Sequence, residues 1–441
     1  MDDYRAAYPS AMAAIERDAA ELVTHLRFPS EHRKRIRSTN LLERTFVEVR
    51  RRTKVVGRFP GETSALSRPR PRCPADRGSA QSTARPLTRS CGMPALPARL
   101  IVRALFWPGG RGYAAMMLRL GYALSSEEHR PSDLVAWARR AEEAGFEFAL
   151  ISDHFHPWID RQGQSPFVWS VIGAIAEATE RIELGTGVTC PTMRIHPAIV
   201  AQAAATAAAM MPGRFFLGVG TGENLNEHIL GQRWPSADIR REMLEEAIEV
   251  LRALWTGELT TYRGRWYHVE DARIYTLPDE PPPIAVAAGG SKAAKLAGRV
   301  GDALIGTSPE AELVEAYQAA GGDGPRYGEL TVCVADSEKE AKRIAHEWWP
   351  NAALKGPLGQ ELPQPAHFEA AVRMVTPEDV AESVVCGPDV ELHLEKIQAF
   401  ADAGFDHVYV HQVGPDQAAF FRLYELDLLP RLAGTGTSAG R

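Results

Sequence analysis

Short apolar runs alternate with longer amphipathic segments from residue 118 to residue 411, and this alternation constrains the fold more than any other feature. Eight runs of four to six residues predict buried strands, and the segments between them predict helices. The predicted strands are 118–122, 148–152, 182–186, 215–219, 284–288, 303–306, 330–335 and 407–411. The predicted helices are 131–145, 168–179, 199–211, 240–255, 292–300, 338–348 and 391–403.

This succession predicts an α/β fold. Eight even βα units favour a closed (β/α)8 barrel, the TIM-barrel architecture, over a doubly wound open sheet. Residues 257–283 and 350–375 interrupt the alternation and are predicted as insertions. Because functional side chains of such barrels follow the carboxyl ends of the strands, we expect the site in those loops.

The charge differs between the two ends of the chain. Residues 1–115 carry 22 Lys and Arg against 10 Asp and Glu, whereas the remaining residues carry 28 against 46. This asymmetry predicts three pieces, namely a helical fragment over 1–67, a disordered Pro- and Arg-rich linker over 68–115, and the barrel domain over 116–435. Met116 and Met117 precede the first strand, and we expect the functional protein to begin there.

Several classes of protein are excluded by what the sequence lacks. No apolar run approaches ~20 residues, so we expect no membrane span. The N-terminus has no apolar stretch of the kind found in signal peptides. The five cysteines are scattered without a C-x-x-C pair, which suits a reducing cytoplasm, and no metal-binding motif is present. We therefore predict a cytoplasmic protein without a metal site.

The loop after the second strand reads Ser-Asp-His-Phe-His-Pro-Trp over 152–158. It carries a carboxylate (Asp153), two imidazoles (His154 and His156) and an indole (Trp158). Imidazole is the side chain best suited to move protons near neutral pH, so the loop is a candidate for proton transfer. In the alternative interpretation, Asp153 caps the next turn and both imidazoles only satisfy hydrogen bonds.

Two further loops carry candidate residues. Glu223 follows a Gly-Thr-Gly turn after the fourth strand, although it could equally be the N-terminal acid of a helix. Gly289, Gly290 and Ser291 open a helix after the fifth strand, where free N–H groups could hold an anion. A tight turn that binds nothing is the alternative. The Gly-Val-Gly-Thr-Gly segment at 218–222 is not a dinucleotide-binding fingerprint, because its glycine spacing is wrong.

Four motifs from this region resemble one family. They are S-D-H-F-H-P-W at 152–158, F-L-G-V-G-T-G-E-N-L-N-E at 216–227, A-A-G-G at 287–290 and A-G-R-V-G-D at 297–302. In this order and spacing they resemble the luciferase-like oxidoreductases, and within them the dehydrogenases that use the deazaflavin coenzyme F420. The resemblance covers residues 118–431 and implies a TIM barrel, with F420 as cofactor and FMN as the alternative.

The resemblance also implies a role for particular residues. Those implied to contact the cofactor are Asp153, Gly187, Val188, Cys190, Thr221, Gly222, Asn226, Gly289, Gly290, Lys292 and Ala293. Gly187–Val188 matches the position of a non-proline cis peptide in the family, and Cys190 replaces a threonine. His154 would take the hydroxyl proton while hydride leaves the same carbon. Glu223 would deliver a proton to the reduced ring, and Trp158 would shield the reacting centre.

The substrate side departs from the family's sugar-phosphate dehydrogenases. Those enzymes hold the substrate phosphate with a threonine, two lysines and an arginine. Thr307 matches the threonine, but Glu310, Gly359 and Ser383 fall at the other positions. The resemblance therefore implies a small-molecule substrate other than glucose 6-phosphate. It also implies a homodimer as one possible assembly.

The N-terminal piece resembles the C-terminal end of Mutator-type transposases. The resemblance is carried by R-S-T-N-L-L-E-R-T-F and by E-V-R-R-R-T-K, within residues 37–54. It makes Glu43 the counterpart of one metal-binding carboxylate, but a two-metal nuclease needs several, so we expect a catalytically inactive remnant. Two functions remain as alternatives to an F420-dependent oxidoreductase, namely an FMN-dependent monooxygenase and a DNA-binding transposase remnant. We do not expect nucleic-acid binding.

Overall fold

The computed structural model describes residues 118–434, so the predicted pieces 1–67 and 68–115 lie outside the described residues. Eleven strands occur in this range. They are β1 (Arg119–Leu124), β2 (Phe148–Ile151), β3 (Glu183–Thr186), β4 (Phe215–Val219), β5 (Thr260–Arg263), β6 (His268–Ala272), β7 (Ile284–Ala287), β8 (Ala303–Gly306), β9 (Arg326–Cys333), β10 (Val385–Cys386) and β11 (His407–Gln412).

Eight of these strands form a closed parallel barrel, as predicted. Their order is β1-β2-β3-β4-β7-β8-β9-β11, and β11 pairs with β1 to close the cylinder. The two-residue strand β10 adds to the carboxyl end of β9. Strands β5 and β6 form a separate antiparallel hairpin.

Helices connect the barrel strands on the outside. They are α1 (Pro131–Ala144), α2 (Val168–Ala178), α3 (Pro197–Met210), α4 (Asn224–Glu227), α5 (Ala237–Trp255), α6 (Ser291–Val300), α7 (Ala311–Ala319), α8 (Glu338–Trp348), α9 (Leu358–Glu361), α10 (Pro365–Ala371), α11 (Pro377–Ala381), α12 (Val390–Asp402), α13 (Gln417–Leu423) and α14 (Leu429–Gly434). In this part of the chain no helix has the length and apolar character needed to cross a membrane.

The observed elements differ from the predicted ones mainly in a strand that begins with polar residues and in the two predicted insertions. The seventh barrel strand begins at Arg326 instead of residue 330, because Arg326 is held by Asp406 and Glu329 points toward the barrel interior. The 257–283 insertion contains the β5–β6 hairpin, and the 350–375 insertion contains α9 and α10. Helix α7 was not predicted.

Aromatic rings and glycines fill the barrel together. The rings of Phe216 and Tyr327 stack with centroids 4.9 Å apart, and Phe148 meets Tyr327 edge to face at 5.4 Å. Gly185 faces Phe216, and a Cβ atom built on Gly185 would lie 2.2 Å from that ring. The interior is therefore a packed core whose large rings require a glycine on the neighbouring strand.

One buried guanidinium connects three of the loops that follow barrel strands. Arg194, after β3, donates from Nη2 to Oδ1 of Asp153 at 2.8 Å and to its backbone oxygen at 3.0 Å. The Arg194 backbone N–H donates to Oε2 of Glu227 at 2.8 Å, and its Nε lies 3.5 Å from Oε1. Because Asp153 follows β2 and Glu227 ends α4, this cluster fixes three neighbouring loops.

The cluster places two buried carboxylates around a single cation. Burial raises the pKa of Glu227, and the nearby Glu223 and Asp153 add to this shift, whereas the adjacent Arg194 opposes it. The resulting pKa is about 7. With a proton on Glu227, the negative charge of Asp153 balances that of Arg194. The cluster then carries no net charge in the protein interior.

We expect Gly185→Ala to destabilise the barrel by about 1–3 kcal/mol, because its methyl group would overlap the Phe216 ring. Urea unfolding followed by circular dichroism measures the change. The double variant Gly185→Ala/Phe216→Leu is the matched control, because the smaller side chain makes room for the methyl group. Strictly additive effects of the two substitutions would contradict this packing account.

We expect Glu227→Gln to change how stability depends on pH. The folded-state pKa near 7 lies above the ordinary value of 4.5, so the folded chain binds an extra proton between these values. Glu227 therefore makes stability fall as the pH rises through that range. As the pH rises through this range, the thermal midpoint of the Glu227→Gln variant should fall less steeply than that of the wild type. The exposed control Glu258→Gln should show the same dependence of the thermal midpoint on pH as the wild type. Equal slopes in all three proteins would refute the assignment.

Candidate active site

A cavity of about 860 Å³ opens at the carboxyl ends of the barrel strands. Its wall is formed by the loops after β1, β2, β3, β4, β7 and β8, by side chains of β9 and β11, and by residues between 349 and 383. Ligand pockets in proteins measure roughly 300–1,000 Å³, so this space suits an organic cofactor together with a small substrate.

Most of the residues predicted for the site lie on this wall. They are His154, Trp158, Gly187, Val188, Thr221, Gly222, Glu223, Gly289, Gly290, Lys292, Ala293 and Thr307. Asp153, Cys190 and Asn226 are buried behind the wall instead. Their predicted contacts with a cofactor remain predictions, and their visible role is to support the loops that form the wall.

The three buried residues are each engaged within the protein. Asp153 accepts from Thr189 Oγ1 at 2.7 Å in addition to Arg194. The Cys190 thiol lies 3.0 Å from the hydroxyl of Thr192, and burial raises its pKa well above the ordinary value, which makes it a poor nucleophile.

Asn226 joins the loop after β2 to the loop after β4. Its Oδ1 accepts from the backbone N–H groups of Phe155 and His156, at 2.9 and 3.2 Å. Its Nδ2 donates to Oε2 of Glu223 at 3.3 Å. Glu223 stands at the N-cap of α4, as the alternative interpretation has it, but its side chain makes no capping hydrogen bond there. Glu223 is instead oriented on the cavity wall.

The His154 ring is fixed by both of its nitrogens. Nδ1 lies 3.2 Å from the backbone oxygen of His156, which can only accept, so Nδ1 carries a proton. Nε2 lies 3.2 Å from Oε1 of Glu127. The ring meets Trp158 edge to face with centroids 5.0 Å apart. His154 therefore presents Nε2 toward a carboxylate on the cavity wall.

Glu127 is a site residue that the sequence interpretation missed. It accepts from Ser152 Oγ at 2.5 Å and Ser125 Oγ at 3.2 Å. Burial alone would raise the pKa of Glu127, but His154 and the bond from Ser152 outweigh it and hold the pKa below its ordinary value. The signal that could have found it is the acidic pair Glu127-Glu128 directly after the first barrel strand.

A second group of titratable side chains lies on β9 and β11. His411 Nε2 lies 3.2 Å from Glu128 and its Nδ1 lies 3.6 Å from Glu329. Burial alone would lower the pKa of His411, but Glu128 raises it above its ordinary value. Burial raises the pKa of Glu329, which also accepts from Tyr409 at 3.4 Å. The inner wall of the cavity is thus rich in carboxylates.

The glycine turn before α6 has the features of an anion site. Among the described residues, a Cβ atom at Gly289 or Gly290 would meet nothing within 4 Å, so the backbone there is open to a ligand. The N-cap residue of α6, Gly290, has no side chain to cap the first N–H groups, which form the positive end of the helix. Arg241 and Lys292, both beside Asp238, are the only Arg or Lys on the cavity wall within residues 118–434.

The peptide bond Gly187–Val188 is cis, as the family resemblance implies. Val188 lies on the cavity wall and packs against the aromatic residues that fill the barrel. Its side chain also approaches Gly220, where a Cβ atom would lie 2.7 Å from Val188 Cγ2. The loop after β3 is thus packed closely against the loop after β4.

The positions that would hold a substrate phosphate lack a cation. Thr307 and Ser383 lie on the wall, whereas Glu310 accepts from Ser308 Oγ at 2.8 Å outside it. Lys355 is exposed and paired with Glu382 at 2.9 Å. In the described range no group of three His, Cys, Asp or Glu side chains is arranged to hold a metal ion.

Comparison with known families confirms both resemblances. The model described as luciferase-like monooxygenase matches residues 115–407. The model described as transposase, Mutator family, matches residues 1–68, outside the described range.

Curated relatives cover the barrel domain. The F420-dependent glucose-6-phosphate dehydrogenase of Beutenbergia cavernae is 39% identical over 328 residues, which are 72% of this chain and 98% of the relative. The protein of the same name from Intrasporangium calvum is 40% identical over 334 residues, which are 72% of this chain and all of the relative.

Solved structures show the same fold. An F420-dependent secondary alcohol dehydrogenase in complex with an F420-acetone adduct superposes with a TM-score of 0.66 at 31% identity, over 70% of this chain and 98% of that chain. The coenzyme F420 dependent tetrahydromethanopterin reductase from Methanopyrus kandleri superposes with a TM-score of 0.59 at 21% identity, over 72% and 99%. The chain described here belongs to the luciferase-like monooxygenase family.

Proposed function

We propose that the chain is an F420-dependent oxidoreductase that moves hydride between C5 of the deazaflavin and the carbinol carbon of an alcohol, or another reducible carbon. The observation that carries the proposal is that an open glycine turn and the His154–Glu127 pair face one cavity. The F420-dependent relatives support the same choice of cofactor. When bound, F420 supplies the hydride acceptor or donor.

The chain offers a fitting place for each part of this cofactor. Gly289, Gly290, Lys292 and Ala293 would hold the phosphate, because the turn exposes backbone N–H groups beside a lysine. Val188 and the backbone of 221–222 would contact the ring. Asp153, Cys190 and Asn226 would support these loops from behind the wall.

His154 is the proposed base for the substrate hydroxyl. When the ring is neutral with its proton on Nδ1, Nε2 does not donate to Glu127 and can accept the hydroxyl proton of a substrate that enters between them. The Glu127 carboxylate would then stabilise the imidazolium that forms. Trp158 packs against the imidazole and would exclude water from the reacting carbon. Glu223 is the proposed acid that delivers a proton to the reduced ring, and Asn226 orients it.

We further propose a small alcohol without a phosphate group as substrate. The wall near Thr307 offers hydroxyl groups and carboxylates, and its only Arg or Lys side chains, within residues 118–434, stand at the glycine turn. A phosphate placed near Glu127 and Glu329 would meet like charge. The homodimer and the cytoplasmic location remain predictions.

Fluorescence quenching distinguishes the two candidate cofactors. Purified full-length protein is titrated with F420 and, separately, with FMN. Saturable quenching with F420 supports the proposal. Tight binding of FMN without binding of F420 would instead favour an FMN-dependent monooxygenase and overturn it.

We expect His154→Ala to lower turnover by about 10²–10⁴-fold, because the hydroxyl proton loses its acceptor. Affinity for F420 should stay nearly unchanged, since His154 is not part of the glycine turn. Deazaflavin absorbance measures turnover, and fluorescence quenching measures affinity. His268→Ala, an exposed histidine on β6, is the matched control. If His154→Ala retains wild-type turnover, the assigned base is wrong.

Ser383→Arg tests the proposed substrate class. The wild-type protein should show a higher kcat/KM for uncharged secondary alcohols than for glucose 6-phosphate. The variant places a cation on the cavity wall and should raise kcat/KM for glucose 6-phosphate by roughly tenfold or more, since a charge-assisted hydrogen bond contributes about 1.5–3 kcal/mol. A wild-type protein that prefers glucose 6-phosphate would contradict this substrate class.

A further inference from the structure

A fully buried arginine, Arg240, contacts one part of the cavity wall. Arg240 lies in the first turn of α5, and its side chain is 1% exposed. Its guanidinium Cζ lies 4.2 Å above the ring of Trp234, and Nη1 donates to the backbone oxygen of Pro235 at 2.8 Å. These local contacts account for only part of its hydrogen-bonding capacity.

The remaining contacts of Arg240 reach into the 350–375 insertion. Nη2 donates to Oε1 of Gln360 at 3.0 Å, and Nη1 lies 3.3 Å from Oε1 of Glu361. Glu361 is the only carboxylate paired with Arg240 within residues 118–434, and Nε has no partner there. Among the described residues, the carboxylate that pairs with this buried cation therefore comes from α9.

The stretch 354–362, which we call the roof segment, contains α9 and Gln360, which lies on the cavity wall with His154. Its two ends, Leu354 and Leu362, pack in the same apolar cluster as Trp158 and Phe368. Asn224 Nδ2 donates to the backbone oxygen of Glu361 at 2.9 Å, directly beside the proposed acid. The roof segment thus touches both sides of the proposed reaction centre.

These contacts make the position of the roof segment depend on Arg240. Moving the segment outward would leave a buried guanidinium without its carboxylate, which is strongly unfavourable. Lysine could not replace it fully, because a single ammonium group cannot reach the Pro235 oxygen, Gln360 and Glu361 together.

We propose that Arg240 is a positioning residue for the reaction, which holds the roof segment closed over the substrate end of the cavity. This inference rests on the proposed function for its catalytic consequence, but the latch itself is independent of any activity. Because the segment contacts the Trp158 cluster and Asn224, beside the proposed base and acid, loosening it should weaken substrate binding more than F420 binding.

Glu361→Gln and Arg240→Lys test the latch in the full-length chain. Each should raise KM for the alcohol roughly tenfold and change kcat much less, because an opened wall loses contacts that bind the substrate equally in the ground state and in the transition state. F420 affinity should stay within about twofold of wild type, because the glycine turn is not part of the roof segment. A twofold change in Kd corresponds to about 0.4 kcal/mol. Glu369→Gln, in the same insertion but without a contact to Arg240, is the matched control.

Trypsin supplies a readout that needs no turnover. Lys355 is exposed within the roof segment and precedes Gly356, so cleavage after Lys355 reports opening. Both latch variants should be cleaved there faster than wild type and the control, at temperatures where all remain folded. Glu361→Gln alters an exposed side chain, so it remains informative if the Arg240 variant fails to fold.

The outcomes separate the two proposals. Unchanged cleavage and unchanged KM in Glu361→Gln would overturn the latch. Faster cleavage with KM unchanged would overturn the positioning role. A wild-type protein without F420-dependent turnover would overturn the proposed function, whereas the cleavage comparison would still decide whether Arg240 latches the roof segment.

Discussion

The geometry of the cavity depends on the buried Arg194 guanidinium. It holds Asp153 and Glu227 at once, and these residues belong to loops that follow different barrel strands. A loop that is held only at its own strand end would be free to move relative to its neighbours. The shared cation removes that freedom. His154 follows Asp153 directly, and Glu223 precedes the helix that ends at Glu227, so both side chains face the same cavity.

The charges of the cavity are separated along its wall. Arg241 and Lys292 stand near the open N-terminus of α6, where the helix adds partial positive charge. Glu127 and Glu329 lie at the inner wall, where burial and histidines set their protonation. In the proposed function, an anionic cofactor group would bind at one end, and an uncharged group that gives up a proton would bind at the other.

Regular elements were predictable where local chemistry agrees with the fold. Strands β4 and β8 and helix α8 match their predicted bounds residue for residue, because uninterrupted apolar runs and a clear amphipathic period specify them. Strand β9 was placed four residues late, since Arg326 and Glu329 are polar in the sequence but satisfied by tertiary partners. Glu127 and Arg194 are not predicted as site residues for the same reason, because most of their partners lie far away in the chain.

The sequence by itself determined the barrel, the loops that line the cavity and the glycine turn, because strand periodicity and short motifs are local properties. The tertiary structure decided which of those residues face the cavity. Asp153, Cys190 and Asn226 lie behind the wall, and Glu127 lies beside His154. The tertiary structure also placed Gln360 on the wall and Arg240 beneath it, across a separation of 120 residues. Such contacts arise from packing between distant segments, which no local pattern encodes.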